Sequence, residues 1–176
     1  MKRFVLALGN ARSCPMQPAF RNGFLGGLFA ACILGTWLFR LWGAENQVRL
    51  HSEHLLRQVE KRSWSGVENF LAPDYHDDWG DDRALLLQRL RLVLRMFSSL
   101  TISASEPQIE VQLPDARWRA RVQLTGAGPM APEVIAQVNG LTTPFVLHWR
   151  RQSWHPWDWK LVRVTNESLE IRSGVL

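Results

Sequence analysis

An uninterrupted run of uncharged residues near the N-terminus limits how this chain can fold. Residues 22–39, NGFLGGLFAACILGTWLF, contain no Asp, Glu, Lys or Arg and are mostly apolar. A helix of this length rises about 27 Å, which is close to the thickness of the hydrocarbon core of a bilayer. The run therefore predicts one transmembrane helix, which we place at residues 22–43 with Trp37 and Trp42 at the level of the headgroups.

The charges that flank this segment predict its orientation. Residues 1–21 form a tail with four basic residues and no acidic residue, whereas two arginines on the other side, Arg40 and Arg49, are offset by Glu45. Because basic loops stay on the cytoplasmic side, we expect a cytoplasmic tail, a single pass through the inner membrane, and residues 44–176 outside. A cleaved signal peptide fits less well, since cleavage after Ala44 would place bulky Trp42 where a small residue is needed.

Small residues recur at every fourth position of the apolar run, at Gly23, Gly27, Ala31 and Gly35. Such a ridge lets two membrane helices approach closely, which predicts a homodimer through this helix. Glycine is also common in membrane helices that do not associate, and this alternative stays open. Cys32 follows Phe-Ala-Ala as in a lipoprotein signal, but the run stays apolar well past it, which favours an uncleaved anchor.

The rest of the sequence is electrically balanced. Residues 41–176 contain sixteen basic and sixteen acidic residues, so the net charge of +5 comes entirely from the first forty residues. A balanced domain does not predict a surface that binds phosphates, and we expect no nucleic-acid partner. The two cysteines, Cys14 and Cys32, both precede residue 44. The exported domain is therefore expected to be stabilised by burial rather than by disulfides.

Hydrophobic periodicity divides the exported domain into helices followed by strands. Helical spacing predicts a first helix over about residues 45–62, a short helix that ends by Ala72-Pro73, and a third helix within residues 82–97. From residue 100 onward the apolar period is two, which predicts antiparallel strands. This order is typical of an α+β domain with its helices on one face of the sheet.

Turn signals divide the second half into hairpins. We predict a first turn at Pro114-Asp115, a second at Asn139-Gly140 after a strand that contains EVIAQV, and a third within SWHPWD, residues 153–158. In the last strand the apolar side changes between Leu161 and Val162, which predicts a bulge there or burial of both faces.

Three of the nine tryptophans, Trp154, Trp157 and Trp159, stand within six residues. We interpret them chiefly as the aromatic wall of a curved sheet that closes over the helices, since each ring can bury about 150–250 Å². Stacking on sugars, which requires exposed rings, is the alternative.

Three segments add to the order of these elements: VENFLAPDYHDDWG between the first helices, ARWRARVQL as a middle strand, and PFVLHWRR followed by WDWKLVRVTNESL. Together they resemble the nuclear transport factor 2-like superfamily, which includes SnoaL-like cyclases and ketosteroid isomerases. The resemblance covers about residues 45–171. It implies a cone-shaped α+β domain with a pocket between the concave face of the sheet and the helices.

Enzymes of this superfamily place an acid, a histidine or a tyrosine in that pocket. The resemblance implies six pocket residues here: Asp74, Tyr75, Asp78, Trp118, His148 and Trp149. In such an enzyme Asp78 or Asp74 would be the base and Tyr75 a hydrogen-bond donor. The acidic loop also has a simpler explanation, because aspartates favour loops and the first turn of a helix.

No motif in the sequence specifies a reaction. The sequence has no glycine-rich phosphate loop and no nucleophile elbow, and His51 and His54 lack a third metal ligand at a convincing spacing. We therefore predict no cofactor and no metal. We expect a membrane-anchored binding or scaffold protein whose exported domain binds an envelope protein or a small apolar ligand, with an acid-base enzyme as the alternative. The architecture is also similar to the inner-membrane scaffold component of type IV secretion systems.

Overall fold

The computed structural model describes the backbone of residues 18–169, and the chain divides into the units Met1–Phe39 and Arg40–Leu176. The first helix, α1, covers Pro18–Leu41 and thus most of the predicted membrane segment. Within it, every side chain of residues 26–37 is exposed. The side chains of residues 18–22, 24, 25 and 38–41 lie outside the described part of the structure.

Among the helices of the described residues, none combines the length and the apolar character that crossing a membrane requires. Residues 1–17 of the basic tail, and several side chains of the segment 22–43, lie outside what the structure describes. The membrane anchor and its orientation therefore stay predictions.

Three helices open the second unit, and each matches a predicted one. They are α2 at Ala44–Glu60, α3 at Trp64–Phe70 and α4 at Arg83–Leu94. The buried side chains of α2 are Val48, Ser52 and Leu55, whose spacing of three and four residues places them on one face. Asp82 caps α4, because its side chain accepts a hydrogen bond of 2.8 Å from the backbone N–H of Leu85.

Four antiparallel strands form one sheet in the order β1-β2-β3-β4. They are β1 at Ser99–Gln112, β2 at Asp115–Ala127, β3 at Phe145–Arg151 and β4 at Trp159–Thr165. The hairpin predicted at Pro114-Asp115 is confirmed, with Ile109 opposite Trp118. The predicted bulge is also confirmed, because the register between β3 and β4 shifts at Val162, between Leu161 and Arg163.

The segment EVIAQV is a helix, so its prediction as a strand was wrong. The helix α5 covers Ala131–Asn139 and Gly140 is its C-terminal cap rather than part of a hairpin turn. Pro132 in the first turn favours a helix start. Periodicity alone does not distinguish a strand from a helix in so short an apolar run.

The main core lies between α2, α3 and the sheet. Its largest members are Trp118, Trp149 and Trp159, none more than 2% exposed. Trp159 thus has the predicted place in an aromatic wall. For Trp154 and Trp157 the prediction was wrong, because they precede β4 in the loop from β3 and are 80% and 55% exposed.

Candidate functional site

A large apolar cavity of about 1000 Å³ lies between α4, α5 and the sheet. The sheet contributes Val122 and Leu124, which continue the face of β2 that buries Trp118 and Ala120 further back along the strand. Because side chains alternate between the two faces of a strand, one face of β2 contacts the main core at one end and the cavity at the other.

The helix α4 is apolar on more than one side. Leu87 and Leu94 are buried, while Leu86, Leu90 and Val93 line the cavity. A surface helix normally needs one apolar stripe to bind its core. The additional apolar side of α4 therefore forms a wall that an apolar molecule can contact.

Two buried aspartates lie at the rim of this cavity. Asp77 is 3% exposed and Asp81 is 2% exposed. One carboxylate oxygen of Asp77 accepts the backbone N–H groups of Trp79 and Asp81, at 3.0 and 2.8 Å. The other accepts the hydroxyl of Tyr75 at 3.3 Å. Asp77 thus organises the loop that carries Asp81.

Asp81 has unused hydrogen-bonding capacity. Its Oδ2 lies 3.1 Å from Nη1 of Arg89, while its Oδ1 has no hydrogen-bond partner among the described residues. Burial raises the pKa of Asp81, and the nearby carboxylate of Asp77 acts in the same direction, whereas Arg89 opposes them. A carboxyl with these properties can hold a proton or accept one from a bound molecule.

The two predicted aspartates of this loop lie on its outer side. Asp74 is exposed and accepts a hydrogen bond of 2.8 Å from Nη1 of Arg150. Asp78 is exposed and pairs with Arg163. Tyr75 is buried, and its bond to Asp77 connects it to the cavity rim. The sequence therefore indicated the loop, whereas the carboxyls beside the cavity, Asp77 and Asp81, are not among the six residues singled out from it.

The other three predicted residues belong to different surroundings. Trp118 and Trp149 are buried in the main core. His148 is half-buried and lines, together with Trp149, a separate polar cleft of about 350 Å³. Burial lowers the pKa of His148, and the cations Arg117 and Arg163 act in the same direction. The six predicted residues do not converge on one point, and their roles in a pocket stay predictions.

The small residues of α1 are open to their surroundings. Gly23, Gly27, Ala31 and Gly35 are exposed, and no atom lies within 4 Å of the position that a Cβ would take at the three glycines. Association of two copies along α1 stays a prediction.

Among the residues that the structure describes, no group of three or more His, Cys, Asp or Glu side chains is placed to hold a metal ion.

Neither a protein-family model nor a curated protein sequence matches this chain. Solved structures match it with low identity. The protein Bd1075 of Bdellovibrio bacteriovorus has a TM-score of 0.53 and 7% identity over 70% of this chain, which spans only 40% of that protein. A nuclear transport factor 2-like protein of Pseudomonas putida has a TM-score of 0.52 and 12% identity, with 69% of this chain and 83% of that chain covered.

A third similar structure is a ketosteroid-isomerase-like protein of Shewanella frigidimarina. Its TM-score is 0.51 at 14% identity, and the match covers 69% of this chain and 95% of that one. Likeness at such identities shows the fold and leaves the function open. Residues 44–169 pack helices on a four-stranded antiparallel sheet. This part of the chain therefore has the α+β, nuclear transport factor 2-like fold that its motifs resemble.

Proposed function

We propose that this chain is a membrane-anchored protein whose folded domain binds a small apolar ligand in the large cavity. The observation that supports this function is the cavity itself, with its volume of about 1000 Å³ and its aliphatic walls from α4, α5 and the sheet. Sites for small molecules typically measure about 300–1000 Å³ and are mostly apolar with a few polar groups.

The polar rim suggests the chemistry of the ligand. Asp81 offers one carboxylate oxygen without a partner among the described residues, beside an otherwise aliphatic wall. A ligand with an apolar body and one hydroxyl would satisfy both environments, because its O–H can donate to this oxygen and a buried polar atom without a partner is costly. A ketone would do so when Asp81 is protonated, because the carboxylic acid then donates to the carbonyl. We therefore propose an apolar alcohol or ketone as the ligand class.

A thermal unfolding titration of the full chain with 2-naphthol tests this proposal. A ligand that binds only the folded state stabilises it, by about 2.7 kcal/mol at a concentration one hundred times its Kd. We expect a saturable rise in Tm for the wild type. Val122→Trp should reduce this rise by placing an indole ring inside the cavity, because Val122 lines it.

Arg121→Trp is the matched control, since Arg121 precedes Val122 on the same strand and is exposed on the opposite face. This variant should keep the response to 2-naphthol. An unchanged Tm in the wild type, or an equal rise in Val122→Trp, would contradict binding in the cavity.

A second candidate function is acid-base catalysis on a ligand in the same cavity. It is favoured by the raised pKa of buried Asp81 and by its position at the cavity rim. The carboxylate would remove a proton from the carbon beside a ketone, and the resulting enolate would take a proton back from the carboxylic acid. Arg89 would hold Asp81 in position through their contact of 3.1 Å.

Deuterium exchange into 2-tetralone, followed by proton NMR in D2O, tests this candidate. We expect exchange above the uncatalysed rate for the wild type and a loss of about 100-fold or more for Asp81→Asn. Asp78→Asn is the control, because Asp78 is exposed and faces Arg163. Equal exchange with and without protein would exclude this activity toward an apolar ketone.

We propose further that α1 anchors the domain in the inner membrane, with the N-terminus in the cytoplasm. The proposal is supported by the uncharged run and by the exposure of its large side chains: Leu28, Phe29, Ile33, Leu34 and Trp37 are 53–69% exposed. Exposed apolar surface of this extent is typical of contact with lipid or protein.

Alkaline phosphatase and green fluorescent protein, each fused to the C-terminus of the full chain, test the topology. We expect phosphatase activity and no fluorescence, because the first reporter functions outside the inner membrane and the second inside. Recovery of the intact chain in the soluble fraction after cell breakage would contradict the anchor.

We propose that two copies associate along Gly23, Gly27, Ala31 and Gly35. Gly27→Leu should weaken self-association of the full chain in a two-hybrid assay for membrane helices, because close approach needs small residues. Gly26→Leu is the control, since Gly26 adjoins the ridge without belonging to its four-residue repeat. Equal association in both variants would count against a dimer through this ridge.

A further inference from the structure

The loop between β3 and β4 presents a cluster of exposed aromatic rings. We call residues 153–158 the aromatic loop. Trp154 is 80% exposed and Trp157 is 55% exposed. The ring of His155 stacks on that of Trp154 at 4.1 Å and lies 5.1 Å from that of Trp157, between centroids. Three rings thus form one outward-facing surface.

Hydrogen bonds hold this loop in a defined conformation. The backbone N–H of Gln152 donates to the carbonyl of Asp158 at 2.9 Å and closes the loop at its base. Ser153 accepts the backbone N–H of His155 at 3.3 Å, and its Oγ lies 3.1 Å from Nδ1 of the same histidine. The loop backbone and the ring of His155 are therefore held in place before any partner arrives, which lowers the entropy cost of binding.

The aromatic loop lies beside the first half of α2. The backbone of Trp157 lies close to the ring of His51. The neighbouring indole of Trp149 donates a hydrogen bond of 3.0 Å to Ser52. Because α2 begins at Ala44, His51 is only about 10 Å along the axis from the start of this helix. Trp42, just before α2, is also 53% exposed.

The strand residues at the base of the aromatic loop add positive charge beside the rings. Arg151 ends β3 and forms no salt bridge among the described residues, whereas Arg150 and Arg163 pair with aspartates. Lys160, at the second position of β4, instead donates a hydrogen bond of 2.6 Å to the backbone carbonyl of Asn69. Near an anionic membrane surface a cation such as Arg151 contributes about 1 kcal/mol of attraction.

We propose that the aromatic loop contacts the bilayer surface, with Trp154 and Trp157 at the level of the headgroups and with Arg151 directed to a lipid phosphate. Indole rings prefer this level because they combine an apolar body with an N–H donor. The proposal rests on the proposed anchor, which would hold the start of α2, and hence this loop, close to a membrane. A lipid surface fits the combination of exposed rings and a neighbouring cation.

The test uses the full chain labelled with 5-fluorotryptophan in nanodiscs of phosphatidylcholine and phosphatidylglycerol. Trp154→Phe and Trp157→Phe assign the two loop signals in the fluorine NMR spectrum, and Trp37→Phe and Trp118→Phe assign two references. A lipid that carries gadolinium on its headgroup is then added. We expect at least a two-fold greater loss of intensity for the loop signals than for buried Trp118.

The reference signals separate the possible failures. If Trp37 loses intensity while Trp154 and Trp157 behave like Trp118, the loop does not touch lipid although the anchor is present. If Trp37 is also unaffected, the anchor itself is wrong. Loop signals that respond to soluble oligosaccharides or peptides instead of the gadolinium lipid would overturn the lipid contact in favour of those ligands.

The variant Arg151→Gln tests the electrostatic part. It should reduce the gadolinium effect on the loop signals in nanodiscs with phosphatidylglycerol and leave it unchanged in pure phosphatidylcholine. Because Arg151 forms no salt bridge among the described residues, the Tm of the variant should stay close to that of the wild type. An equal effect in both lipids for wild type and variant would contradict the role of Arg151.

Discussion

Asp77 and Asp81 are four residues apart in one loop, yet their surroundings give them different chemistry. Asp77 uses its oxygens to accept two backbone N–H groups and the hydroxyl of Tyr75, so it holds the loop together. Asp81 contacts Arg89 with one oxygen and leaves the other without a partner among the described residues. The main consequence of burying Asp81 is therefore a raised pKa of its carboxyl group.

Asp81→Asn should change how stability depends on pH. Because the pKa of Asp81 is raised in the folded state above its ordinary value of 3.8, this group stabilises the fold below that value and loses the contribution as pH rises through the folded pKa. Asparagine does not ionise. The variant should therefore gain stability relative to the wild type between pH 4 and pH 7, as measured by urea unfolding.

Asp78→Asn serves as the control, since Asp78 is exposed and pairs with Arg163 at the surface. Its difference from the wild type should vary less over the same pH range. If the difference in unfolding free energy between Asp81→Asn and the wild type is the same at pH 4 and at pH 7, the ionisation of Asp81 is not perturbed by the fold.

At the scale of elements, β2 continues past the end of its partner β3. It pairs with β1 along residues 115–127 but with β3 only along residues 115–120. Beyond that point the side chain of Asn139, at the end of α5, accepts the N–H of Leu124 at 2.8 Å and donates to its carbonyl at 3.0 Å. One amide side chain thus replaces a strand partner.

Asn139→Ala should weaken this edge of the sheet. Loss of two hydrogen bonds at about 0.5–1.5 kcal/mol each predicts destabilisation by about 1–3 kcal/mol. Amide hydrogen exchange should become faster at Leu124. In Asn139→Asp the side-chain acceptor remains and the donor is lost. The backbone N–H of Leu124 should therefore stay protected from exchange in this variant, unlike in Asn139→Ala. Unchanged exchange in both variants would contradict the role of Asn139.

At the scale of the whole folded unit, two groups of buried side chains form the interior. The main core surrounds Trp118, Trp149 and Trp159, and a smaller cluster consists of Leu94, Phe97 and Ala131. Val59 on α2 packs against both. The two groups are therefore expected to unfold together.

Val59→Ala should destabilise the folded unit by about 1–2 kcal/mol, since it removes methyl groups that contact both clusters. Tryptophan fluorescence and circular dichroism should still report one common midpoint in urea. Val164→Ala is the matched control, because Val164 packs against the main core only. Separate midpoints in wild type would show two independent units.

The long amphipathic elements could be predicted from the sequence because their period extends over several turns. Both α2 and α4 start and end close to the predicted positions. The segment of α5 could not, since Val134, Ile135 and Val138 are β-branched residues that also favour strands. This segment is a helix because of its tertiary packing and because the side chain of Asn139 forms a hydrogen bond with the backbone of Leu124, fifteen residues earlier in the chain.

The loop of the candidate site could be predicted, whereas its inward-facing residues could not. Asp74 and Asp78 are held on the outer side by Arg150 and Arg163, which come from β3 and β4 more than seventy residues later. Asp77 faces inward because its oxygen accepts the N–H of Trp79 two residues on, a local turn. Residues 74–82 include five aspartates, and the sequence alone does not show which of them face inward.

The bulge at Val162 also determines what can lie beside β4. Its carbonyl accepts the backbone N–H of His76 at 3.2 Å, and the carbonyl of Leu161 accepts that of Ala72 at 2.9 Å. An internal segment thereby occupies the outer margin of the last strand, where a strand from another molecule would otherwise extend the sheet. Neighbouring copies of this chain are thus hindered from pairing into fibres through this margin.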